Sequence, residues 1–177
     1  MFVFVSGPVR GGKSAWAEGF AFSLARQGNT PLVYLATARV TDAEMKERVL
    51  RHQAAREGKG FATLERKTGV AGAIPLLPVR STVLLECLGT LLANEMFEES
   101  GAKRGGCRIA EKIYEDLALL RERTSNLLVV SNDIFSDGSI YNEATENYRQ
   151  ALGALHVTLA READLAVECA FIPLSYK

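Results

Sequence analysis

The chain has 177 residues, 47% of them apolar, which is enough to bury one core and fits a single domain over residues 1–177 without disulfides or a structural metal. Its 21 basic and 21 acidic side chains cancel, so the field expected of a general nucleic-acid or anionic-membrane binder is missing and a small-molecule substrate is the better expectation. Cys87, Cys107 and Cys169 form no CxxC pair and have no histidine at ligand spacing, and no segment reaches the roughly 20 apolar residues of a membrane span, which argues against zinc or iron-sulfur sites and points to a cytoplasmic protein with free thiols.

In chain order, the apolar run Phe2 to Ser6 predicts a buried strand that breaks into Gly7-Pro-Val-Arg-Gly-Gly-Lys-Ser14. This matches GxxxxGK[ST], placed after a strand and before a helical stretch beginning near Lys13. In such a loop Gly7, Gly11 and Gly12 let backbone N–H groups turn onto phosphate oxygens, and the helix N-terminus adds positive charge. Lys13 is expected to reach the outer phosphates and Ser14 to ligate a magnesium ion. That ion normally needs an acid at the end of a neighbouring strand, for which Glu86, closing "STVLLE", is the candidate.

Pro31 to Ala36 predicts a second strand. Thr41-Asp-Ala-Glu44 has capping-box spacing and predicts a helix from near Asp42 to about Arg56, on which Arg48, His52 and Arg56 recur every four residues. Two fixed positive charges would keep an imidazole between them neutral, and a neutral imidazole can attack phosphorus while the arginines hold the phosphates. The alternative for this stripe is a solvated charged helix face. Thr82 to Cys87, Leu127 to Ser131 and Asp164 to Ala170 predict further strands, and Arg108 to Arg123 and Asn142 to Ala163 predict amphipathic helices. Gly101 to Gly106 and Asn132 to Ile140 are polar connections, and His156 flanks the apolar stripe of the last helix, where a structural role is expected. Strands spaced by helices imply an α/β fold with a mainly parallel sheet. The phosphate loop alone leaves kinase, GTPase, ATPase and sensor open.

Taken in order, "SGPVRGGKS", "VYLATA" (Val33 to Ala38), "DAEMKERVLRHQAAR" (Asp42 to Arg56), "FATLE" (Phe61 to Glu65), "LLECLGTLLAN" (Leu84 to Asn94) and the closing "IPLSYK" resemble the bifunctional adenosylcobinamide kinase/adenosylcobinamide-phosphate guanylyltransferase family of cobalamin assembly. The resemblance implies a P-loop nucleoside triphosphate hydrolase-like three-layer fold and two reactions. Adenosylcobinamide is phosphorylated on its aminopropanol hydroxyl, and GMP then passes from GTP to that phosphate through a guanylylated histidine, His52 in this chain.

It further implies catalytic roles for His52 and Lys13, and a nucleotide site of Gly7, Pro8, Val9, Arg10, Gly11, Gly12, Lys13, Ser14, Thr37, Arg48, Arg56, Glu65 and Glu86. Ser14 and Glu86 would bind Mg2+, GTP is the expected nucleotide with ATP as a second candidate, and a homo-oligomer, a trimer in the family, is the expected assembly. The chain departs from the family pattern at Phe61, Gly11 and Gly89, and most in "SNDIFSDGSIYNE" after Val130 and at His156-Val157. Two rival expectations stand beside it: a small-molecule kinase without the histidine step, and a nucleotide-binding regulatory protein.

Overall fold

The structure, a computed structural model, describes residues 1–39, 47, 56–97, 105–134 and 141–170. Among them are six strands, β1 (Phe2–Ser6), β2 (Leu32–Ala36), β3 (Phe61–Glu65), β4 (Thr82–Glu86), β5 (Asn126–Val130) and β6 (Leu165–Glu168). Every pairing is parallel, in the order β3-β2-β4-β5-β1-β6. The inner strands are continuous apolar runs because a parallel sheet is covered on both faces.

Four helices cover it: α1 (Lys13–Gly28), α2 (Leu88–Met96), α3 (Gly106–Arg123) and α4 (Glu143–Glu162). Side chains alternate along each strand, so Phe2, Phe4, Val33, Leu35, Val83 and Leu85 face one way. There they meet Leu92 of α2, Ile113 and Leu120 of α3, and Leu152 and Leu159 of α4. Val3, Val5, Tyr34, Leu84, Leu128 and Val130 face the other way, against Ala17, Ala21 and Ala25 of α1. Small alanines let α1 lie close over β4 and β5. The result is the expected α/β three-layer arrangement.

Parallel strands place all their carboxyl ends at one edge, and the register aligns Glu65, Ala36, Glu86, Val130 and Val5 across it. In open α/β sheets this is the edge that binds ligands. The predicted strands and the two long helices agree with the observed elements to within about two residues, the usual scatter of element ends. Asn142 caps α4, its Oδ1 accepting from Thr145 N at 2.9 Å. Three elements had no counterpart among the predictions: the edge strand β3, a 3-10 helix over Val70–Leu76 and the short helix α2. Apart from Glu47 and Arg56, the predicted histidine helix lies outside the described residues, and so do His52 and Arg48. No helix among the described residues is long and apolar enough to cross a membrane.

Candidate active site

The loop between β1 and α1 is held open from beneath. Gly7 has φ 143°, and a Cβ there would overlap the carbonyl of Cys169, which follows β6. Only glycine permits that approach. Gly12 occupies the N-cap of α1 with φ 81°, so no cap side chain satisfies the first-turn N–H groups, and these face an anion site. Lys13 is only 4% exposed, and its Nζ donates to Pro8 O at 2.6 Å across the loop. Val9 and Arg10 project outward at the loop's tip. The loop thus gathers the seven expected residues from Gly7 to Lys13, with Ser14 one position into the helix.

Ser14 Oγ donates to Glu86 Oε1 at 2.5 Å, joining the first turn of α1 to the end of β4. The second carboxylate oxygen, Oε2, accepts from Tyr34 OH at 3.1 Å. Burial, reinforced by the Glu86 charge, pushes the Tyr34 phenol far up, so it remains a donor. A hydroxyl and one carboxylate form a small, hard oxygen set, and no cluster of three or more His, Cys, Asp or Glu occurs among the described residues. Such a pair fits Mg2+, which takes most of its ligands from phosphate and water.

Glu86 is fixed by its backbone as well. Thr37, expected at the nucleotide, is fully buried; its Oγ1 accepts from Cys87 N at 2.8 Å and donates to Cys87 O at 2.9 Å. Thr37 N donates to Glu86 O at 3.1 Å, and Thr37 O accepts from Asn94 Nδ2 at 2.8 Å. With its hydroxyl both donating and accepting, Thr37 clamps the strand end that carries Glu86.

Arg56, also expected at the nucleotide, is likewise held by protein partners. Its guanidinium is buried, stacked 3.5 Å from the Tyr34 ring centroid and 3.6 Å from Glu18 Oε1, which Lys59 Nζ also approaches at 3.1 Å on its other oxygen. A buried arginine needs a counter-charge, and Glu18, one turn along α1 from Ser14, supplies it. Arg56 therefore braces the Tyr34–Glu86 pair from behind. Glu65 lies exposed at the end of β3, at the same sheet edge but three strands from β5. Glu18, Tyr34 and Asn94 are the site residues that sequence reasoning missed.

At the end of β5, between β4 and β1, Asp133 N donates to Gly7 O at 2.7 Å, tying the chain after β5 to the first loop glycine. Nearby, His156 of α4 meets Ser131 Oγ through Nε2 at 2.7 Å and packs edge-on to Phe4. Burial pulls its pKa down to about 4 against an opposing pull from Asp133, so the ring is neutral near pH 7. The structural role expected for His156 is the one observed.

A phosphate loop between β1 and α1, a basic residue folded across it and a strand-end acid against its serine define the class of P-loop nucleotide-binding α/β proteins. The sequence model of the cobinamide kinase/cobinamide phosphate guanyltransferase family, CobU, matches residues 3–171. The chain belongs to that family. It is similar to the bifunctional adenosylcobalamin biosynthesis protein CobU of Salmonella typhimurium, with 26% identity over 175 residues, covering 93% of this chain and 92% of the relative. The CobU protein of Escherichia coli is 31% identical over 173 residues, with coverage of 93% and 92%. The CobP protein of Pseudomonas aeruginosa is 27% identical over 161 residues, with coverage of 90% and 87%.

Proposed function

We propose that this chain carries out both reactions of its family: transfer of a phosphoryl group from a nucleoside triphosphate to adenosylcobinamide, then transfer of GMP from GTP to the resulting phosphate. The observation that carries the reading is the Ser14–Glu86 contact, which joins the end of the phosphate loop to a strand-end acid in a chain matched over residues 3–171 by the family. The loop amides and Lys13 would bind the phosphates, and Ser14 with Glu86 would hold Mg2+, whose charge offsets that of the phosphates. In the first reaction the acceptor hydroxyl attacks the γ-phosphorus and the nucleoside diphosphate departs. In the second, neutral His52 attacks the α-phosphorus of GTP, pyrophosphate leaves, and the phosphate of the acceptor takes the GMP from the histidine. GTP serves the second step, and either GTP or ATP the first.

GTP labelled on its α-phosphate tests the histidine step directly. Without acceptor, the protein should take up an acid-labile label that His52→Ala abolishes and that adenosylcobinamide phosphate chases into a GDP-linked product. Phosphorylation of adenosylcobinamide without protein label would leave the small-molecule kinase reading, and tight nucleotide binding with neither reaction would leave the regulatory one. Lys13→Ala should weaken triphosphate binding in both reactions.

A further inference from the structure

A cavity of about 500 Å3 opens beside the phosphate loop. It is lined by Val9 of the loop, Asp133 after β5, and Tyr141, Thr145, Tyr148 and Arg149 at the start of α4. We infer that this cavity receives the hydroxyl-bearing arm of the acceptor, and that Asp133 accepts the hydroxyl proton during phosphoryl transfer. The inference rests on the kinase reading above and names the residues that reading leaves unassigned.

Four observations converge on it. The cavity shares Val9 with the phosphate loop, and the Asp133 backbone is bonded to Gly7, so whatever fills it lies against the bound triphosphate. Its carboxylate repels phosphate, which makes it a poor second site for the nucleotide itself. Two phenol rings, a hydroxyl and a guanidinium offer apolar faces and hydrogen bonds together, which suits an amide-linked alcohol. Arg149, stacked at 5.4 Å on Tyr141 and bonded through one amino group to Glu146 at 3.0 Å, keeps its Nε buried without a hydrogen-bond partner, a donor that a carbonyl or phosphate oxygen would satisfy. The volume suits an arm, with the bulk of a large acceptor outside.

In the step itself, the alcohol oxygen forms a bond to the γ-phosphorus as its proton passes to the Asp133 carboxylate. The bond from that phosphorus to the β,γ-bridging oxygen breaks, and its electron pair leaves with the nucleoside diphosphate. A base in this position is worth about a hundredfold in rate.

Two variants of the full chain, Asp133→Asn and Thr145→Phe, test the proposal with adenosylcobinamide as the probe. Three readouts are needed: initial rate of phosphorylation, retention of the coloured acceptor in equilibrium dialysis with a non-hydrolysable triphosphate, and acceptor-free labelling by α-labelled GTP. Asp133→Asn should lower kcat about a hundredfold while acceptor retention stays within about threefold. Thr145→Phe, which fills the cavity from the helix surface, should weaken retention and raise acceptor KM at least about tenfold. Both should label as wild type, showing that the nucleotide site is intact. A wild-type rate in Asp133→Asn overturns the proton transfer, and wild-type retention in Thr145→Phe overturns the cavity, even if Asp133→Asn does not fold. An active parent with unaffected variants sinks this inference alone, whereas a parent that neither retains nor phosphorylates the acceptor sinks the kinase reading and takes the inference with it.

Discussion

Thr37→Val separates two roles that the sequence left merged. Valine keeps the shape of threonine but removes the hydroxyl that accepts from Cys87 N and donates to Cys87 O. Position 37 is fully buried, so no water replaces it, and the Cys87 N–H is left without a partner. Losing both bonds and stranding that donor costs about 2–3 kcal/mol, equivalent to a fall in melting temperature of about 5–10 °C for a chain of this size. The assay is thermal unfolding of the nucleotide-free protein followed by circular dichroism, with Thr37→Ser beside it. Serine keeps the hydroxyl and should recover most of the loss. Because Glu86 is displaced with its backbone, triphosphate turnover should fall in the valine variant and return in the serine variant. A nucleotide-free Thr37→Val that melts with wild type but binds nucleotide poorly would refute the clamp and restore Thr37 as a direct contact.

Three further outcomes are expected. Gly7→Ala puts a side chain against the Cys169 carbonyl at a φ of 143°, and should weaken triphosphate affinity at least about tenfold by isothermal titration. Glu18→Ala leaves the Arg56 guanidinium buried without its acid, and should destabilise the protein by about 3 kcal/mol in urea denaturation; a loss below about 1 kcal/mol would mean that Arg56 finds another partner. His156 has a pKa lowered from 6.5 to about 4 by burial, so between those values the unfolded chain binds more protons than the folded one and stability falls as the solution is acidified. Discounted for partial exposure, the loss at pH 5 relative to pH 7 is about 1–2 kcal/mol, and His156→Gln should remove that share of the pH dependence.

What the sequence made legible follows from periodicity and from motifs whose geometry is local. The strands β1, β2, β4 and β5 are apolar runs bounded by turn residues, and α3 and α4 carry single apolar stripes. The phosphate loop was readable because strand, glycines, lysine and helix are contiguous. Helix α2 was not, because Leu88, Leu91, Leu92, Asn94, Glu95 and Met96 are all buried and a helix covered all round has no polar face to mark its period. Strand β3 is a short, largely exposed edge, with neither a continuous apolar run nor a buried alternation. Thr37 and Arg56 were expected at the nucleotide, and their protein partners were not foreseen. Their partners, Cys87 and Glu18, lie 50 and 38 residues away in sequence, and no local pattern encodes those pairings.

The surroundings of the phosphate loop bear on how one domain can serve two reactions at different phosphorus atoms. Towards β4 and β2, the loop is backed by Ser14, Glu86, Tyr34 and the buried Glu18–Arg56 pair. Arg56, the last residue of the predicted histidine helix, is buried beside Tyr34, whose hydroxyl donates to Glu86. At the end of β5, between β4 and β1, the loop is backed by Asp133, beside the cavity at Tyr141 and Arg149. Positioning supplies most of the catalysis in phosphoryl transfer, so a change confined to the cavity is expected to act on the acceptor and to leave the nucleotide site in place. The chain's departures from its family pattern are concentrated after Val130, where Asp133 and Ile134 line the cavity, with Gly11 the one departure within the Gly7–Ser14 loop.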